Sequence, residues 1–463
     1  MNTTVVCMTA QQRDAIRAHV LPDDGCEAVA ILLCGRARST RRQKLLVHRI
    51  VPVPYTLCSI RSPDRVTWPT DFLVPYLHEA GRKGWSVVKI HGHRGYDRFS
   101  VVDDTADRAL FPTLYAWMES GVPHGSAILM DDGRLFGRVV TEDGGFAPFS
   151  QINVVGDDLE FFRVKPEASP VPAFGERIAQ TFGKGTFEQL RRLRVGVVGA
   201  SGTGSPVIEE LARNGVGELV LVDPDVVEHK NLNRIWNSTA DDAHAQRPKV
   251  EVAARAIAAM GLNTHVETYA TTLFDTAAVR AIASCDAVFG CMDTVDGRFL
   301  LNKLAAFYTV PYIDLGVKLE ADGNGGVDQV AASVHFLKPN GSSLLSRRVF
   351  TMEQVRAAGL RRADPEHYRQ EVDEGYIRGV QEDRPAVIHV NTLIASLAIN
   401  ELLARVHPFR LDPNSQFATT RISLSHGIFA HEPEGEPCAV LARHVGRGDV
   451  VPLLDWPELS ADN

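Results

Sequence analysis

The chain has 463 residues, 44% of them hydrophobic and 23% charged, with a formal net charge of -8. That length exceeds one ordinary core and predicts two or three domains, while the acidic balance offers no electrostatic footprint for nucleic acid. No stretch is apolar enough to span a membrane, and the N-terminus lacks a basic segment followed by an apolar run, so a cytoplasmic protein with no membrane partner is expected.

In chain order, residues 27–35 read as a buried strand and residues 44–53 as a second, with partial alternation. A helix is predicted over 72–82 and a third strand over 85–90. That strand leads into HGHRGYDRFSVVDD, in which His91 and His93 stand two apart. On an extended chain, side chains at i and i+2 point to the same side, one way to hold a metal.

With Ser100 and Asp103 downstream, the segment becomes H-x-H-x6-S-x-x-D and resembles the signature of the JAMM (Mov34/MPN/PAD-1) metalloproteases. The resemblance implies an α+β domain in which His91, His93 and Asp103 bind zinc. Glu27 would be the general base and Ser100 a hydrogen-bond donor to the developing oxyanion. Arg94 stands where the family usually has proline, and the interval from His93 to Ser100 is one residue short. Asp104 restores the commoner spacing, so both Asp103 and Asp104 stand as third ligand, with Asp103 preferred because it keeps S-x-x-D intact.

Pro166, Pro170 and Pro172 cluster where helices and strands cannot propagate, predicting a linker over 161–175 between a first domain, 1–160, and a second, 176–430, with a tail over 431–463. Arg177 lies ahead of a helical segment at 187–192. Next comes RVGVVGASGTGSPVIEELARNGVGELVLVD, residues 194–223, read as strand, glycine turn, helix and strand. Gly199, Gly202 and Gly204 punctuate the turn, and Asp223 ends the second strand. Backbone N–H groups at a helix N-terminus suit phosphate, and a carboxylate at the next strand end suits ribose. Ser201 stands where the dinucleotide fingerprint usually has glycine, which argues against an ordinary dehydrogenase.

Asn231 and Arg234 lie 8 and 11 residues beyond Asp223, and Lys249 opens a helix after Pro248. The strand at 286–290 ends in CMDTVDGRFLLN, placing Asp293 at a strand's carboxyl end, with Arg298 and Asn302 following on a helix. A strand is predicted at 311–317 and a helix at 390–403. Taken together, these motifs resemble the ThiF/MoeB superfamily, which includes ubiquitin-activating enzymes and sulfur-carrier adenylyltransferases.

That resemblance implies a Rossmann-like α/β adenylation domain. Gly199, Ser201, Gly202 and Gly204 would line ATP, Asp223 would bind ribose, and Asn231, Arg234 and Lys249 would hold phosphates. Asp293 would bind Mg2+, and Arg177 would reach across a homodimer to the partner's ATP. The substrate implied is the C-terminal tail of a ubiquitin-like or sulfur-carrier protein. The JAMM-like domain would trim or release that protein, as in small bacterial-type conjugation pathways, antiphage ones included.

The seven cysteines contain no C-x-x-C pair, and residues 318–386 contain none at all, although ubiquitin-activating members carry their acyl-accepting cysteine there. The reaction would stop at the adenylate or pass to a separate conjugating protein; a hydroxyl in residues 342–346 and the remote Cys438 are the other acceptors. Residues 318–385 read as a mobile crossover clasping the tail or as an insertion covering the sheet. The alternatives to modifier conjugation are a sulfur-carrier adenylyltransferase of cofactor biosynthesis and a nucleotide-binding scaffold without turnover.

Overall fold

The computed structural model describes residues 3–39, 41–118, 121–164, 170–322, 324, 326–373 and 387–460. These form two compact units: Met1–Ala168 with Phe307–Thr309 and His444–Leu454, and Ser169–Ala306 with Val310–Arg443 and Asp455–Asn463. None of the described helices is long and apolar enough to cross a membrane.

In the first unit the elements run β1 (Thr3–Thr9), α1 (Ala10–Val20), β2 (Val29–Arg38), β3 (Arg42–Pro52), β4 (Ile60–Ser62), β5 (Arg65–Thr67), α2 (Val74–Lys83), β6 (Ser86–His93), α3 (Val101–Trp117), β7 (His124–Met130), β8 (Leu135–Val140), β9 (Phe146–Pro148), β10 (Gln151–Val155) and β11 (Leu159–Arg163). The sheet order is β11-β10-β1-β3-β2-β6-β7-β8-β9, with β4 and β5 a separate hairpin. Both faces are covered, which explains the unbroken apolar run of β2. Ala30, Leu32 and Cys34 pack with Ile16 and Val20 of α1, while Val29, Ile31 and Leu33 pack with Leu77 of α2 and Phe111 of α3.

The second unit contains α4 (Glu176–Phe182), α5 (Lys184–Arg192), β12 (Arg194–Val198), α6 (Gly204–Arg213), β13 (Glu218–Val222), α7 (Ala240–His244), α8 (Lys249–Met260), β14 (His265–Tyr269), α9 (Thr276–Ala283), β15 (Ala287–Gly290), α10 (Val295–Phe307), β16 (Tyr312–Ala321), β17 (Val327–Leu337), α11 (Met352–Ala363), α12 (Pro365–Asp373), α13 (Ile388–Val406), β18 (Thr419–Ser423) and β19 (Ile428–Glu432). The sheet order is β14-β13-β12-β15-β16-β17-β18-β19. Strands β14 through β16 pair in parallel, and the hairpin β16–β17 begins an antiparallel extension. From β12 the chain steps first to β13 and later back to β15 on the other side. This leaves the carboxyl ends of β12 and β15 at the switch point where such sheets bind ligands.

Three expected boundaries change. Strand β11 pairs with β10 through Arg163, so the sheet of the first unit runs past residue 160, and residues 161–163 of the predicted linker are strand; residues 165–169 lie outside the described residues. The predicted tail is divided, because residues 444–454 belong to the first unit and residues 455–463 to the second. The predicted crossover starts as regular hairpin, since cross-strand pairing through Ala321 and Val327 satisfies the backbone; residues 374–386 lie outside the described residues.

Candidate functional site

In the first unit the sheet register builds a cluster at the end of β6. His91 and His93 are the last residues of that strand rather than the loop after it. They share the face of Val87, which packs toward α2 and α3. Lys89 lies on the same face and pairs with the fully buried Asp107 of α3, while His91 Nε2 lies 3.1 Å from Asp103 Oδ1, one turn earlier on that helix. Four helical residues rise about 6 Å and two strand residues about 6.6 Å, so the two contacts lie in step. In the β2–β6 ladder Val29 pairs with His91. Continuing that register brings Glu27 opposite His93, and Glu27 Oε1 lies 3.8 Å from His93 Nε2.

His91, His93 and Asp103 form a cluster whose ligand atoms lie within 4.8 Å of one another. The two Nε2 atoms are 3.0 Å apart, and His93 Nε2 is 3.8 Å from Asp103 Oδ2. These separations bracket the edge of about 3.3 Å expected for tetrahedral zinc with bonds near 2.0–2.1 Å. His93 Nδ1 donates to the Tyr96 carbonyl at 2.9 Å, which leaves its Nε2 lone pair toward the cluster. His91 Nδ1 is buried without a partner among the described residues, so this imidazole lacks the outer acceptor that metal-bound histidines usually have. The donor set and its spacing fit zinc.

Burial lowers the His91 pKa more than the hydrogen bond with Asp103 raises it. Burial alone would raise Asp103, but the bonds from His91 and Ser100 hold its carboxyl well below the usual range. Burial and the proximity of Asp103 push the Glu27 carboxyl up to about 7.

Asp104 resolves differently. Its carboxylate accepts from Arg138 at 2.6 Å, and the acid that joins the two histidines in the cluster is Asp103. Arg138 also holds Asp107 and lies 3.7 Å from the Phe99 and Phe146 ring centroids, which fixes the first turns of α3. Ser100 is the N-cap of that helix: its Oγ accepts from the Asp103 N–H at 3.1 Å and donates to Asp103 Oδ2 at 2.8 Å. The S-x-x-D spacing is therefore a capping box that also aims Asp103.

In the second unit the glycine loop follows β12. Gly199 has φ +95°, and a methyl group there would come within 2.7 Å of the Cys291 carbonyl, so the residue that follows β15 lies directly behind the loop. A methyl group at Gly204 would come within 1.8 Å of the Gly199 oxygen. Gly204→Ala should therefore destabilise this unit by about 1–3 kcal/mol, read as a lower urea midpoint at unchanged slope.

Asp223 organises the loop. The buried carboxylate accepts the Ala200 N–H at 2.6 Å and the Asp225 N–H at 2.9 Å. Burial pushes it above the ordinary carboxylate range, against Lys249 and these two donors. Lys249, also buried, donates to Asp225 at 2.7 Å and lies 4.0 Å from Asp223. Arg234 donates to the Lys230 carbonyl at 2.9 Å, and its Cδ would be 3.2 Å from a methyl group at Gly202. Asp293 is exposed between β15 and α10. Arg177 is exposed in the first turn of α4.

Three side chains read from sequence have structural partners. Asn231 Oδ1 accepts the Glu228 N–H at 3.0 Å. Arg298 forms a two-pronged pair with the fully buried Asp314. Asn302 accepts the Leu344 N–H at 2.9 Å.

The acyl-accepting groups fare poorly. Ser342 and Ser343 are buried; the Ser342 hydroxyl donates to Glu434, and Ser343 Oγ accepts the Ser346 N–H. Cys285, Cys291 and Cys438, the cysteines of the second unit, are all buried. Two residues near the loop went unread: Asp225, and Asn391 of α13, whose Nδ2 would lie 2.4 Å from a methyl group at Gly202. The D-P-D spacing of Asp223 and Asp225 was a signal for the first; Asn391 carried none, since only packing brings α13 against α6.

A doubly wound, Rossmann-like α/β domain with a glycine loop at its switch point defines the class of the second unit. The chain belongs to the ThiF family, whose sequence profile matches residues 174–431. It is 38% identical over 125 residues to the SAMP-activating enzyme E1 of Haloferax volcanii, covering 27% of this chain and 46% of that protein. It is 34% identical over 140 residues to the sulfur carrier protein adenylyltransferase of Thermus thermophilus, covering 30% and 51%. The match thus spans about half the length of these relatives. The crystal structure of E. coli MccB with ATP aligns over 58% of this chain and 74% of that one at 18% identity, with a TM-score of 0.44.

Proposed function

We propose that the second unit adenylates the C-terminal carboxylate of a ubiquitin-like or sulfur-carrier protein. A carboxylate oxygen attacks the α-phosphorus of ATP, the bond to the bridging oxygen breaks, and pyrophosphate leaves. Such a transfer asks for alignment and charge neutralisation more than for a side-chain nucleophile. The observation that carries this reading is the Asp223-ordered glycine loop with the buried Lys249 beside it. Asp223 would take the ribose hydroxyls, Lys249 and Arg234 the phosphates, and Asp293 Mg2+. Asn231 would contribute through the turn that its Oδ1 closes. Arg177, exposed on α4, would complete the site of a second copy in a homodimer.

The test is exchange of radiolabelled pyrophosphate into ATP with purified small proteins ending in glycine that are encoded beside this chain's gene. Exchange should require the added protein and vanish when its terminal carboxylate is amidated. Exchange without any added protein, or none with every one tried, would sink the reading and favour a scaffold without turnover. The buried thiols favour direct hand-over of the adenylate over an acyl-enzyme. That holds for the sulfur-carrier reading as well as for conjugation through a separate protein, and a thiocarboxylate or a protein adduct seen by mass spectrometry separates the two.

For the first unit we propose a JAMM-type peptidase acting on the same modifier, which would give the chain both an activating and a trimming activity, in a bacterial-type conjugation or antiphage pathway. His91, His93 and Asp103 would hold zinc. Bound there, zinc polarises a carbonyl and lowers the pKa of water. Glu27 faces the cluster as proton acceptor, and Ser100, as the helix cap, keeps Asp103 aimed; its O–H is engaged by Asp103 and would have to turn to serve as the oxyanion donor.

A further inference from the structure

Asn391 lies in the first turn of α13, a helix whose N-cap residue, Val387, supplies no side-chain acceptor. It is 2% exposed, and its carboxamide makes no hydrogen bond to another described residue. A carboxamide that is not tied to a neighbour, beside a loop of backbone N–H groups, is placed to meet a ligand held there. Its Nδ2 and the Arg234 stem flank the same glycine, 2.4 Å and 3.2 Å from where a Gly202 side chain would begin. Any side chain at residue 202 would separate the amide from the loop.

We propose that Asn391 is a further nucleotide-binding residue, its carboxamide N–H donating to a phosphate oxygen of ATP held at the glycine loop. The assignment rests on the reading of that loop as an ATP site. Phosphate fits better than a sugar or base, because the neighbouring groups are backbone donors and the Arg234 side chain. The consequence is that α13 becomes part of the nucleotide site.

The experiment is calorimetric titration of the full chain with ATP–Mg2+ and, separately, with adenosine, in wild type, Asn391→Ala and Asn391→Asp. A hydrogen bond to a charged group is lost in the alanine variant, and ATP affinity should fall about tenfold. The aspartate variant adds repulsion and should fall further. Adenosine affinity should stay within twofold in both, which a merely structural role would not give. The proposal is overturned if both variants bind ATP within twofold of wild type, or if ATP and adenosine weaken together. Should Asn391→Asp fail to fold, Asn391→Ala, which removes atoms without filling space, makes the same comparison. Failure of the wild type to bind ATP would instead overturn the underlying reading, and this assignment with it.

Discussion

Lys249→Ala should lower modifier-dependent ATP–pyrophosphate exchange by about two to three orders of magnitude, the loss typical of removing one preorganised charge from a transition state. The ammonium is buried against Asp225 at 2.7 Å and Asp223 at 4.0 Å, so it is already desolvated and aimed before nucleotide arrives. A cation held this way costs little reorganisation when charge develops around the α-phosphorus as the adenylyl group is transferred. Without it, Asp223 and Asp225 face the phosphates uncompensated, and repulsion adds to the lost attraction. Lys249→Arg keeps the charge in a bulkier, planar form and should recover part of the rate. Zinc content and peptide cleavage should be unchanged, because Lys249 lies in the second unit; a variant that lost cleavage as well would refute the division of labour. Exchange within tenfold of wild type would remove Lys249 from the site.

The second large effect concerns the metal. Wild-type protein should hold about one zinc per chain, and His91→Ala, His93→Ala or Asp103→Ala should each weaken zinc binding by more than about a hundredfold, since even outer-sphere changes reach that size. Asp104→Asn is the discriminating control: its carboxylate is engaged by Arg138, so the variant should keep its zinc. Glu27→Ala should also keep zinc while losing cleavage, because its carboxylate stands beside the cluster and outside the set of three. Metal analysis after gel filtration reads all five variants. Zinc well below one per chain in the wild type, or equal loss in Asp104→Asn, would sink the assignment.

The metal prediction depends on residues whose neighbours are set by register and helix packing. Glu27 meets His93 because Val29 pairs with His91, and a slip of one residue between β2 and β6 would turn the carboxylate to the opposite face. Asp103 and Asp104 cannot be ranked by spacing from His93. They are 100° apart around α3, and only the packing of that helix on β6 decides which one meets the histidines. The cap formed by Ser100 adds to this choice, since it binds Asp103 Oδ2 and leaves Oδ1 for His91.

The sequence by itself determined what is local to one element or to one strand–turn–helix unit. The i, i+2 histidines, the glycine turn, the acid ending β13 and the strand end before Asp293 were all legible, because the periods of strand and helix fix which neighbours share a face. It also determined that no cysteine occupies residues 318–386. Tertiary structure alone decided the rest. It set the pairing of Arg298 with Asp314 and of Lys249 with Asp225, the burial of Ser342 and Cys438, and the approach of Asn391 to Gly202. The physical reason is that such contacts arise from sheet order and helix packing, where residues distant in sequence meet and no repeat in the chain announces the encounter.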